Sequence, residues 1–113
     1  TRRRREPGHD WIIIKLATKG LIKKIEIDTA HFKGNYPDQA SVQVSNLSDG
    51  NDIEKIISDS ENWEFILNKS KLQADNIHNY EIGNNSTEGI THVRLNIYPD
   101  GGVSRLRIFG LKL

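Results

Sequence analysis

The sequence predicts an all-β domain, a β-sandwich or jelly roll. Short runs of β-branched and alternating residues recur at spacings of roughly 8 to 15 residues, about seven or eight strands in all, as small sandwiches require. Clusters of Gly, Pro, Asn and Asp separate them, and no long window carries a helical period. With 113 residues the chain has room for one ordinary core, and no internal repeat or low-complexity tract interrupts it.

The first element is Trp11-Ile12-Ile13-Ile14-Lys15-Leu16, a β-branched run entered through His9 and Asp10 and bounded by turn residues, which reads as a buried strand. Gly20 is expected to break the chain. Beyond it Ile25, Ile27 and Thr29 alternate with Lys24, Glu26 and Asp28, the period-two pattern of a strand with one face on a core. Lys33 to Gln39 holds Gly34, Asn35 and Pro37 and reads as a loop, followed by a short strand at Val42 and Val44. Residues 48–62 are a polar surface excursion in which Ile53, Ile56 and Ile57 fit one or two helical turns. Residues 63–67 and 76–82 give two further strands.

The last element has the clearest pattern. Val93, Leu95 and Ile97 alternate with His92, Arg94, Asn96 and Tyr98, and the alternation resumes at Leu106 and Ile108 after Pro99-Asp100-Gly101-Gly102. An Asp-Gly pair between two alternating runs tolerates the positive φ of a tight turn, so residues 91–98 and 103–109 are expected to form a hairpin. Its register sets Leu95 opposite Leu106 and Val93 opposite Ile108 on the core face, with Asn96 opposite Arg105 and Arg94 opposite Arg107 on the other.

Composition excludes several functions. Sixteen basic against fifteen acidic residues leave a net charge of +1, which gives no electrostatic case for a nucleic-acid or membrane partner. The Arg2–Arg5 run is a small patch without an array of stacking aromatics, so it does not make a single-strand groove. The apolar runs are too short to span a bilayer. The chain has no cysteine, hence no disulfide and no thiolate chemistry, which points to the cytoplasm. Asn-x-Ser/Thr matches at Asn46, Asn68, Asn84 and Asn85 are expected by chance in a chain with ten Asn residues. No histidine spacing or calcium-loop pattern supports a metal, and no cofactor is expected.

Two sets of residues carry candidate chemistry. Like charges facing each other on a sheet are destabilising unless neutralised, so Arg94 and Arg107 ask either for an anionic ligand or for carboxylates such as Glu26 or Asp28 on a neighbouring strand. His31, three residues after Asp28 and opening into a loop, reads as a general acid–base or as a structural hydrogen bonder. His9, His78 and His92 raise the same question with less local support.

Four stretches resemble the allantoicase family of ureide-degrading hydrolases: Thr1-Arg2-Arg3-Arg4, Gly8-His9-Asp10-Trp11, Asp28-Thr29-Ala30-His31-Phe32-Lys33-Gly34-Asn35, and Pro99-Asp100-Gly101-Gly102-Val103-Ser104-Arg105-Leu106-Arg107. Thr91-His92-Val93-Arg94-Leu95 fits as well, whereas Ser45 to Glu88 carries no specific match. The resemblance implies a galactose-binding-like jelly roll, with residues 1–113 as one repeat, the second, of a two-repeat chain that forms a homo-oligomer. It further implies a cytoplasmic hydrolase that converts allantoate to ureidoglycolate and urea in purine degradation. On that reading His31, Asp28 and Asp100 are the catalytic candidates, and Arg94, Arg105, Arg107, Asn35 and Arg3 the substrate-binding ones. The alternative is a jelly-roll module that binds a ligand, or supports assembly, without catalysis.

Overall fold

The computed structural model describes residues 2–6, 9–47, 52–83, 89–99 and 101–112; Pro7, Gly8, Asn84, Asn85 and Asp100 lie outside them. The elements run β1 (Arg2–Glu6), β2 (His9–Asp28), β3 (Gln39–Ser45), α1 (Ile53–Ser60), β4 (Glu64–Lys71), β5 (Ile77–Glu81), β6 (Ile90–Tyr98) and β7 (Arg105–Lys112). A large sheet is ordered β1-β2-β6-β3-β4, and β5 and β7 flank the second half of β2 in a smaller one; every pairing is antiparallel. Inward residues of both sheets meet in one core: Ile25 and Ile27 from β2, Val42 from β3, and Val93 and Leu95 from β6. Each such aliphatic side chain contributes roughly 1.5–3 kcal/mol on full burial. The all-β jelly roll expected from the sequence is the fold observed.

β2 is a single strand of 20 residues, not two. Its first half pairs with β6 from Asp10 to Lys15, its second half pairs with β7 from Gly20 to Asp28, and the register shifts in between. Gly20 was expected to end a strand. Instead its missing side chain admits the Leu111 carbonyl, which a Cβ there would meet at 2.6 Å. The glycine is a point of close backbone approach that lets β2 pass from one sheet to the other. Because β2 changes sheet in its middle, Asp10 in one layer and Asp28 in the other return to the same end of the sandwich. Asp10 pairs with Ile97 near the end of β6, and Asp28 pairs with Arg105 at the start of β7.

The expected β6–β7 hairpin does not form. β6 pairs with β2 and β3, and β7 pairs with β2 alone. Residues 99–104 cross from the large sheet to the small one, so Val93 and Leu95 face Leu106 and Ile108 across the core instead of lying beside them. Period-two alternation states which side of a strand is buried but not which strand is its neighbour, and both arrangements satisfy it. The supposed Arg94–Arg107 and Asn96–Arg105 pairs are therefore absent; Arg94 stands opposite Ile13 and Gln43, and Arg107 opposite Glu26.

α1 covers the outer face of the large sheet. Asp52 caps it by accepting from Glu54 N, and Ile56 and Ile57 pack on Trp11, Ile13 and Trp63, while Ile53 points to solvent. Beneath lies a buried polar network. Arg94, 2% exposed, donates to Asn96 Oδ1 (2.8 Å) and Ser60 Oγ (2.7 Å) and stacks on the Trp11 ring at 4.5 Å. Asn96 donates to Gln43 Oε1, and Gln43 donates to the carbonyls of Glu61 and Trp63. These bonds tie the loop after α1 to β3 and β6, as buried polar groups demand.

At the end where Asp10 and Asp28 meet, the β2–β3 and β6–β7 connections interlock. Gly102 N donates to Asn35 O, Ser104 N donates to Asp28 O, and Ser104 Oγ donates to Ala30 O. Gly101 has φ +130°, and a Cβ there would meet the Tyr36 backbone at 2.6 Å. A Cβ on Gly102 would fall 2.1 Å from the Phe32 ring.

Two outcomes follow for stability. Gly102→Ala is expected to lose about 1–3 kcal/mol in denaturant titration, as overpacked sites do. Phe32→Leu in that background is expected to recover part of the loss; a Gly102→Ala domain of unchanged stability would contradict the seating of Phe32. His92 is buried, and burial followed by the nearby Lys15 charge pushes its imidazole below the ordinary value. The unfolded chain then binds the proton more readily, so the His92 contribution is intact above the ordinary histidine pKa of about 6.5 and is lost as pH falls below it. His92→Gln is expected to flatten the stability profile between about pH 7 and pH 5; an unchanged slope would exclude His92 as its source.

Candidate functional site

The interlocked connections border a crevice of about 450 Å³. Its walls are apolar: Ile12 and Ile14 from β2, Leu95 and Ile97 from β6, Phe32 from the β2–β3 connection, and Val103 and Leu106 from the chain entering β7. Polar groups enter at few points. The backbone of Gly101 and Gly102 contributes to the lining, Ser104 and Arg105 are exposed there, and Asp10, only 1% exposed, lies on the side of the large sheet. A largely apolar cleft with a few polar groups is the usual form of a small-ligand site.

Several of the residues expected from the sequence gather around this end. Asp28 pairs with Arg105 in the β2–β7 register. The Asp28 carboxylate accepts from Ala30 N at 2.7 Å, and the Arg105 guanidinium makes no hydrogen bond or ion pair with any described residue. Asn35 joins through its carbonyl, bonded to Gly102 N, and its side chain is exposed. His31 sits on the turn after Asp28 with φ 72°, held by its N–H donating to Asp75 Oδ1 at 2.7 Å; Asp75 has a positive φ of its own, 48°. Positive φ in residues other than glycine is stored strain, which the surrounding structure must over-determine.

Other expected residues lie elsewhere. Arg107 stands two register positions away, with Nε 3.6 Å from Glu26 Oε2, the neutralisation by a neighbouring strand that the charge argument offered as one alternative. Arg94 is on the opposite face of the large sheet from the crevice, inside the network under α1. Arg3 is in β1, opposite Ile12 of the crevice wall. Asp100 falls outside the described residues.

The four histidines separate by their partners. His78 Nε2 accepts from Gln73 N, so its Nδ1 carries the proton donated to Ile27 O: a structural imidazole. His92 bonds Thr91 Oγ1 and meets Trp63 edge-on, and His9 lies against the Tyr98 ring. The His31 imidazole alone is exposed with no bond to a described residue. Sequence reasoning did not single out Asp10, Phe32 or Ser104 as lining residues; the crossing of residues 99–104 between the sheets is what brings them together. Among the described residues no three His, Asp or Glu side chains cluster as metal ligands, and no helix is long and apolar enough to cross a membrane.

Comparison with known proteins gives the family and the fold. A family model described as the allantoicase repeat matches residues 1–113. "Probable allantoicase 1" of Burkholderia mallei is 53% identical over 110 residues, which cover 97% of this chain and 32% of that protein. "Probable allantoicase" of Rhizobium meliloti is 53% identical over 116 residues, covering 97% and 33%. The chain thus spans about a third of the length of the curated relatives it matches. Among solved structures, the allantoicase of Saccharomyces cerevisiae superposes with a TM-score of 0.72 at 37% identity, covering 97% of this chain and 30% of that one. A chitosan-binding module from a Paenibacillus chitosanase/glucanase shares the fold alone, with a TM-score of 0.62 at 16% identity over 97% of this chain and 77% of the module. On the match over its whole length and the identity to these relatives, the chain belongs to the allantoicase family as a copy of its repeat.

Proposed function

We propose that this repeat is part of a hydrolase that converts allantoate to ureidoglycolate and urea, and that its share of the substrate site is the crevice between the two sheets. One observation carries the reading. Three sequence stretches far apart in the chain, around Asp10–Trp11, Phe32 and Gly101–Leu106, converge on that crevice. The course of β2 brings these motifs to one end, and what they enclose there is a largely apolar cleft with a few polar groups, the form of a small-ligand site.

The reaction adds water across one C–N bond. A proton delivered to a ureido nitrogen lets that nitrogen leave with the bonding electrons as urea, while the lone pair of the other ureido nitrogen forms a C=N bond. Water then adds its oxygen to that carbon and gives up a proton. Arg105, exposed at the crevice and bonded to no described residue, is suited to hold the substrate carboxylate in a two-point fork. His31, whose imidazole bonds no described residue on the strained turn beside Phe32, is suited to move the proton, because an imidazole can both accept and donate one. Arg94 and Arg107, engaged in the fold, are left as structural residues.

The charged groups at the crevice favour a small ionic substrate over a purely structural or sugar-binding role. Ile77, Phe109 and Leu111 leave apolar surface on the outside of the small sheet, which fits packing against a second repeat or another subunit. A cysteine-free chain also fits a cytoplasmic setting.

In the natural full-length chain, Arg105→Lys is expected to raise KM for allantoate strongly while changing kcat little. His31→Asn is expected to lower kcat by roughly a hundredfold, the typical loss of a general acid or base. His31→Gly separates chemistry from folding. It relieves the φ of 72° and is expected to gain about 1 kcal/mol in stability while losing the same activity. A folded His31→Asn enzyme with wild-type kcat would remove the imidazole from the reaction.

A further inference from the structure

We infer that Asp10 forms a ureido-recognising subsite in the crevice, accepting N–H groups of the substrate opposite the end held by Arg105; this rests on the proposed reaction and adds to it a residue and a recognition chemistry. Three observations lead there. First, strand alternation places the side chain. Asp10 is two residues before Ile12 and pairs with Ile97, and both of these pack toward the core, so Asp10 shares the crevice face of the large sheet. Second, Asp10 is only 1% exposed where it lines the crevice, and its own interactions within the protein hold it there before any ligand arrives. Third, a carboxylate can only accept hydrogen bonds, and its two oxygens offer about four acceptor positions, so contacts with the protein leave others for a ligand.

The chemistry of the ligand follows from these groups. A ureido group presents two roughly parallel N–H bonds on the side away from its carbonyl, which match a carboxylate in a two-point fork, as a guanidinium does. A crevice with an acceptor-only Asp10 and a donor-only Arg105 is complementary to a small molecule with a ureido group at one end and a carboxylate at the other. The volume of about 450 Å³ is of the size that small-molecule sites occupy. The competing account is that Asp10 serves only to balance cationic residues of β1, where Arg5 is its register partner.

The test uses two probes on the full-length chain: hydantoate, which carries one ureido group and one carboxylate, and glycolate, which keeps the carboxylate and lacks the ureido group. Binding is measured by calorimetry, or by inhibition of urea release where binding is weak. Asp10→Asn is expected to weaken hydantoate at least tenfold and to leave glycolate unchanged. Unchanged hydantoate affinity in a folded variant, or an equal loss for both probes, would overturn the subsite. Should Asp10→Asn fail to fold, Asp10→Glu keeps the charge and displaces the carboxylate by one methylene. It is then expected to fold and still discriminate against hydantoate, and wild-type affinity for hydantoate would overturn the inference. A wild-type protein that binds hydantoate through Asp10 yet releases no urea from allantoate would uphold the subsite and reject the reaction. A protein that hydrolyses allantoate with the same KM in wild type and Asp10→Asn would reject the subsite and uphold the reaction.

Discussion

One strand belongs to both sheets, and the rest of the molecule is arranged around that constraint. The first half of β2 is the partner of β1 and β6, and its second half is the partner of β5 and β7. A chain that changes layer in its middle must bring its two ends back to the same end of the sandwich. Asp10 and Asp28 are those ends. The connection of residues 99–104 spans the same gap in the other direction, so its glycines and Ser104 close over the β2–β3 connection. Without Gly20 the Leu111 carbonyl would meet a side chain, and without Gly110 the Leu21 carbonyl would do so at 1.9 Å. The small sheet depends on both approaches.

This arrangement separates the groups that stabilise the fold from those free to act. On the outer face of the large sheet the polar groups satisfy one another: Arg94, Asn96, Gln43 and Ser60 are bonded and covered by α1. A guanidinium buried there is held by hydrogen bonds and an aromatic face, and deleting it would leave its partners unpaired in a place water does not reach. At the crevice end the balance is reversed. Arg105 and the His31 imidazole are exposed and bond no described residue, and Asp10, which has interactions of its own within the protein, lies buried along the crevice.

Much of the fold could be read from residues because the readable features are local. Alternation from Lys24 to Thr29 and from His92 to Tyr98 gave the faces that meet the core, but not that α1 also buries the face of β6 that carries Arg94 and Asn96. Of the three isoleucines in the helical spacing, Ile56 and Ile57 turn inward while Ile53 is exposed. The partners of those strands were not readable. Val93, Leu95, Leu106 and Ile108 satisfy a hairpin and a sandwich equally, and six residues between Tyr98 and Arg105 are enough to cross between layers. The four-arginine run gave no strand signal, since its pairing, Arg2 to Glu6 against Ile13 to His9, depends on the edge that β2 offers. The same distinction holds at the site. His31, Asp28 and Arg105 stand out by residue type, whereas Asp10 becomes visible only once burial and the crevice are known.

The most direct measurement is a crystal structure of the full-length protein with hydantoate bound. The account predicts the ligand in the crevice of this repeat, its carboxylate against Arg105, its ureido N–H groups toward Asp10, and its flank against Phe32. Hydantoate seated under α1 beside Arg94, or on the outer face of the small sheet at Phe109, with the crevice empty, would contradict it.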